Sequence, residues 1–139
     1  MKYFKQRLSK VDIQALSKEQ VKAISGSIYL NDPEQGDIIY DVQTDTLHTV
    51  ISTEGKDGSY AVVTPNGELD WNESFIPLFT VGQLLDALYL EDSVEIKSSP
   101  RGGWVVILDD SVFQTKDNDA LVNILLDALL LKVSRENGC

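Results

Sequence analysis

Between Asp119 and Val133 eleven of fifteen residues are apolar, and Asp119, Asn123 and Asp127 recur every four residues as one narrow polar stripe. A helix with that pattern must be buried on more than one side. It is too short and too interrupted to span a bilayer, which takes about 20 consecutive apolar residues. The cover therefore has to come from the rest of the chain or from a second copy of it. That surplus of apolar surface predicts a homo-oligomer burying Leu125, Leu129 or Leu130. Lys132 and Arg135 suit the negative end of this helix's dipole, with Gly138 as a stop signal.

The preceding elements are legible from their periods and punctuation. Ser9 ahead of Val11, Ile13 and Leu16, and the capping-box pattern Ser17-Lys18-Glu19-Gln20 ahead of Val21 and Ile24, predict a short basic helical arm over 1–26, closed by Gly26. A turn-rich loop at Asn31 to Gly36 follows. Residues 37–76 switch to short β-branched and aromatic runs, Asp37 to Asp41, Thr46 to Thr53, Ser59 to Thr64 and Glu68 to Trp71, which predict an antiparallel meander. Gly55 to Gly58 and Asn66-Gly67 mark its turns. Thr80 and Gln83 form a second capping box, with Phe79 and Leu84 at the staple positions, and open a helix from Val81 to about Leu90.

Ser93 to Ser98 alternates as a half-wet strand. Pro100 to Gly103 turns the chain into Trp104 to Leu108, apolar at every position and so expected to be covered on both faces. Asp109-Asp110 ends that strand, and Val112-Phe113 adds a short strand or bulge. The fold class is α+β: antiparallel sheet with helices packed on it, and an α-β-β-(β)-α unit over 79–137 behind the arm and the meander. At 139 residues the expectation is one domain, burying roughly 68% of the surface its unfolded chain exposes.

The stretch Ile76 to Leu131, with "IPLFTVGQLLDAL", the strand "GGWVVIL" and the closing "DALVNILLDALL", resembles small uncharacterised phage and prophage proteins in which a helix-strand-strand-helix unit forms a sandwich. The resemblance implies a bacterial or phage cytoplasmic setting and carries over no site residue.

Charge is divided unevenly. Residues 1–25 hold six Lys/Arg against two acids and residues 26–131 hold four against nineteen, within a formal net charge of -10. Such an acidic body argues against direct nucleic-acid binding, because a polyanion repels it. It favours a partner with a basic surface. Lys2, Lys5, Arg7 and Lys10 either contact nucleic acid or an acidic surface, or merely balance the body. The single cysteine, Cys139, rules out an internal disulfide and predicts a reducing, cytoplasmic setting. Met1 to Arg7 has charge with no apolar run behind it, so no secretory leader and no membrane association are expected.

Few residues carry chemistry. One histidine and one terminal cysteine cannot build a His/Cys metal site. The oxygen-rich segments at 31–37 and 117–119 lack the acid spacing of a calcium loop, and Gly55 to Ser59 and Pro100 to Gly103 do not fit a phosphate loop. No cofactor is expected. His48 would need Asp41 or Asp45 to orient it as a base. Asp109 and Asp110 close a buried strand, where acid/base groups can sit, yet neighbouring strand residues point to opposite faces.

Trp71, flanked by Asp70 and Glu73, either packs onto the first helices or, with Tyr40, Tyr60 or Phe75, forms an exposed protein-binding anchor. The candidate partner-binding residues are therefore Trp71, Asp70, Glu73, Asp109 and Asp110. They point to a non-enzymatic interaction module, of inhibitor or immunity type, engaging a basic protein. The competing readings are a self-assembling phage or prophage component and a small carboxylate-dependent enzyme using Asp109 or Asp110.

Overall fold

The period-2 runs and the apolar helices of the sequence separate into two units in the computed structural model, which describes residues 5–25, 33–71, 74–89, 93–98, 103–114 and 121–136. One unit is Ser9–Phe79. The other joins Met1–Leu8 to Thr80–Cys139. The described residues form four helices and three small antiparallel sheets, and the fold is α+β. The expected features at Lys2, Gly26, Asn31-Asp32, Glu73, Pro100 to Gly102, Asp117 to Asp119, Gly138 and Cys139 lie outside the described residues.

The β-rich unit, Ser9–Phe79, opens with α1 (Lys10–Gln14) and α2 (Lys18–Ser25). The Ser17 capping box is reciprocal: the Ser17 amide donates to Gln20 Oε1 at 2.9 Å, and the Gln20 amide donates to Ser17 Oγ at 3.1 Å. Two sheets follow, β2-β1-β6 and β3-β4-β5, where β1 is Ile38–Asp41, β2 Thr46–Thr49, β3 Ser52–Glu54, β4 Tyr60–Thr64, β5 Gly67–Glu68 and β6 Phe75–Pro77.

The expected single strand from Thr46 to Thr53 is thus a correction. At Val50 and Ile51 the chain changes partners, the Val50 amide donating to the Asp37 carbonyl and the Ile51 amide to Val63. Such a handover is how a chain turns a sandwich corner. Val50 is buried there, in a core with Ile39, Val62 and Phe75 that Leu69 flanks. Ile39 and Tyr40 point to opposite faces of β1, so Tyr40 looks away from that core, and Gln14 of α1 donates to its hydroxyl at 3.1 Å.

The β4-β5 turn also shifts by one residue from the expected Asn66-Gly67. Thr64 pairs with Gly67, leaving Pro65 and Asn66 at the centre, and only Gly67 takes a positive φ, +112°. Proline's fixed φ suits the first central position, so Pro65 sets the turn.

In the second unit α3 (Val81–Tyr89) begins with the expected reciprocal box, Thr80 N–H to Gln83 Oε1 at 2.9 Å and Gln83 N–H to Thr80 Oγ1 at 3.1 Å. The sheet β7-β8-β9 follows: Val94–Ser98, Trp104–Leu108 and Ser111–Gln114. The final helix α4 (Leu121–Glu136) packs against α3, β8 and β9. It is buried on several sides, as its composition requires, with Val122, Leu125, Ala128 and Leu129 fully covered.

Leu125 and Leu129 are thus buried within one chain, and Leu130 is half-buried. A dimer through the first two would have to open that core. Strand β8 is less enclosed than expected. Val106 and Leu108 are buried, but Trp104, Val105 and Ile107 are only half-buried. Val105 and Ile107 share their face with Glu95, Lys97 and the exposed Val112.

Residues 5–8 do not extend a helical arm. Arg7 bridges Thr80 in antiparallel fashion, Val81 N–H donates to the Gln6 carbonyl, and Lys5 Nζ donates to Asn123 Oδ1 on α4 at 3.0 Å. The stripe residue Asn123 thereby receives a cation from the start of the chain. Lys132 is a second correction. Its side chain is buried and donates to the Ala87 and Leu88 carbonyls at 3.1 and 3.2 Å. It caps the C-terminus of α3, where carbonyls lack intrahelical partners, rather than that of its own helix.

Candidate functional site

Trp71 follows β5 and stands 46% exposed, with its indole edge-on to Phe75 at 5.5 Å between ring centroids. Phe75 is rooted in the core of the β-rich unit, and His48 meets its ring at 5.9 Å, also edge-on. Trp71 is therefore a partly solvated aromatic on a rigid base. Of its three expected aromatic companions only Phe75 is assembled with it. Tyr40 is buried, and its hydroxyl donates to Asp45 Oδ1 at 2.8 Å; Tyr60 donates to the Pro33 carbonyl at 2.8 Å. His48 as a neighbour was not anticipated. Its cross-strand partner Ile39 is in the Phe75 core, and that register is invisible before strand pairing is known.

The surroundings are acidic. Residues 33–71 contain eight Asp/Glu and a single base, Lys56. Asp70 is exposed beside Trp71, and Glu34, Glu54, Asp57 and Glu68 are exposed in the same unit. Glu68 is fixed where it stands: its Oε1 accepts the Lys56 amide at 3.0 Å, and a Cβ added at Gly55 would lie 2.9 Å from that oxygen. Glycine at 55 makes this close approach possible.

Several carboxylates are held in the charged form. Burial alone would raise Asp41, but hydrogen bonds from Ser74, Thr44 and the amides of Gln43 and Thr44 outweigh it and hold the carboxyl below its ordinary pKa. Asp45 is lowered by the Tyr40 hydroxyl and then by Lys10, 3.5 Å away. Asp57 is lowered by the Ser59 hydroxyl and amide. With Asp41 and Asp45 so engaged, neither hydrogen-bonds to His48, and the base-and-orienter pair considered for it is not assembled.

Asp109 and Asp110 belong to the other unit, where they are the two central residues of the β8-β9 hairpin, since Leu108 pairs with Ser111. Asp109 has φ +53°, tolerated by aspartate, and exchanges bonds with Ser93: its amide donates to the Ser93 carbonyl, and its Oδ1 accepts the Ser93 amide at 3.2 Å. The Asp110 side chain is 94% exposed and lies 4.0 Å from Arg135. Turn geometry accounts for both residues. Glu73 lies outside the described residues.

Among the described residues no group of three or more His, Cys, Asp or Glu is placed to hold a metal ion. No helix of those residues is long and apolar enough to cross a membrane. No protein-family model, curated protein or solved structure matches the chain.

Proposed function

We propose that the chain is a non-enzymatic interaction module, of inhibitor or immunity type, whose β-rich unit engages a basic protein through Trp71 and the acids around it. The observation that carries this reading is the half-exposed Trp71, braced by Phe75 and next in the chain to the exposed Asp70, in a unit with twelve acids and four lysines. A rigid indole face attracts Lys and Arg side chains, and anchored aromatics dominate many interfaces. The carboxylates add steering and salt dependence. The proposed surface does not draw on Asp109 and Asp110, which belong to the other unit.

Affinity capture from a bacterial lysate, washed at low and high salt, tests this. A stoichiometric basic partner should be retained at low salt, released at high salt, and bound by Trp71→Ala with a loss of roughly 2 kcal/mol or more. Retention unaffected by both salt and Trp71→Ala would refute the proposal.

One observation favours self-assembly as a second reading. Val105, Ile107 and the exposed Val112 line one face of the β7-β8-β9 sheet. On that reading sedimentation shows a concentration-dependent mass that Val112→Lys abolishes; a monomer at high micromolar concentration excludes it.

A further inference from the structure

The β-rich unit contains a cleft of about 700 Å³ between the α1-α2 hairpin and the turn after β1. Its volume falls within the range of small-molecule sites. Ile13, Leu16, Val21 and Val42 give it an apolar body, and Tyr40 closes one wall. Lys18 and Lys22 lie on its rim.

The charge at this rim runs against that of the unit. Ser9–Phe79 contains twelve acids and four lysines, yet three of the four lysines, Lys10, Lys18 and Lys22, are on or beside α1 and α2. Asp45, the one acid lining the cleft, is already engaged by Tyr40, Gln14 and Lys10. The side chains of Lys18 and Lys22 meet no acid and make no hydrogen bond among the described residues, and both are exposed. Spaced i and i+4 on α2, they line the same cleft as like charges, an arrangement that destabilises a helix and that a bound anion would relieve. Gln14, Tyr40 and Asp45, which also line the cleft, are hydrogen-bonded to one another. The cleft thus combines two cationic side chains with an apolar lining.

We propose that this cleft binds a small monocarboxylate with an apolar body, aliphatic or aromatic, its carboxylate between Lys18 and Lys22 and its body against Leu16, Val21 and Val42. The site is independent of the Trp71 surface and opposite to it in charge preference. Lysine ammonium groups recognise a carboxylate by charge-assisted hydrogen bonds, and the acidic remainder of the unit repels anions from everywhere else on it.

Titration of the full-length protein with octanoate, octyltrimethylammonium and 1-octanol, read by amide NMR shifts and calorimetry, tests the proposal. The expected result is saturable binding of octanoate alone, at one molecule per chain, with shifts confined to α1, α2 and the β1-β2 turn. The double variant Lys18→Gln/Lys22→Gln should weaken it about tenfold or more. Both lysines are solvent-exposed, so this variant should keep the parent's circular dichroism and melting temperature. Val42→Trp, which fills the cleft from its rim, should abolish binding. Equal binding of octyltrimethylammonium or 1-octanol, unchanged affinity in the lysine variant, or no saturable binding of octanoate would overturn the proposal. So would saturation by an acidic leucine-rich peptide but not by octanoate, which would assign the cleft to a protein.

Discussion

The two units of this chain are built on different balances of charge and apolar burial. Ser9–Phe79 carries a net charge of −8, while Met1–Leu8 with Thr80–Cys139 carries only −2. The first rests on a small aliphatic and aromatic core under short strands, with carboxylates tied into turns by hydroxyls and amides. The second buries α4 on several sides and uses a lysine inside its core to cap α3. A unit that keeps so many charges on its surface suits encounter with an oppositely charged partner. One that encloses its longest helix suits holding shape.

Each unit contains one tryptophan, Trp71 or Trp104. Trp104→Phe therefore leaves a reporter in the β-rich unit, and Trp71→Phe leaves one in the other. Leu129→Ala should give the largest effect, a loss of about 2–5 kcal/mol from a fully buried site, read by urea unfolding at Trp104. If Trp71 reports the same loss, the two units unfold as one and the contrast between them fails for stability.

Lys132→Met comes next. It leaves the Ala87 and Leu88 carbonyls without their donor, at a cost of about 1–3 kcal/mol at Trp104. A neutral outcome would mean that those carbonyls find other donors.

Acid should separate the units by sign. Asp41, Asp45 and Asp57 have native pKa values below their ordinary ones, so the stability they provide is complete above the ordinary value and is lost as pH falls from there through the lowered native values. Asp127 on α4 is raised by desolvation, so its charge opposes folding at neutral pH and its protonation favours the native state as pH falls through the raised value. Between about pH 5 and about pH 3 the Trp71 midpoint should fall more than the Trp104 midpoint; equal falls would remove this distinction. Asp110→Ala should do least, within about 0.5 kcal/mol, because its contact with Arg135 is long and solvated.

Local signals were legible in the sequence. Both capping boxes formed between the residues that spelled them, and the strand Trp104–Leu108 has its expected bounds. Apart from the one-residue shift of the turn at Pro65-Asn66, what escaped was non-local. Strand β6 is only three residues long and ends in Pro77, which is tolerated because β6 is an edge strand. The partner change at Val50–Ile51 depends on where Asp37 and Val63 lie, and Lys132 reaches carbonyls 45 and 44 positions earlier. For the site, Trp71 and Asp70 could be nominated from composition, but the support of Phe75 and His48 follows from strand register alone.

The most direct test of the interaction surface makes the same change of net charge in one unit or in the other. Glu54→Lys/Asp70→Lys alters the β-rich unit, and Asp86→Lys/Asp110→Lys alters the other by the same amount, all four positions being exposed. Partner capture at low salt should be lost with the first pair and kept with the second. Equal loss from both would mean that the chain attracts basic proteins by net charge alone, and that the surface around Trp71 is not a binding site.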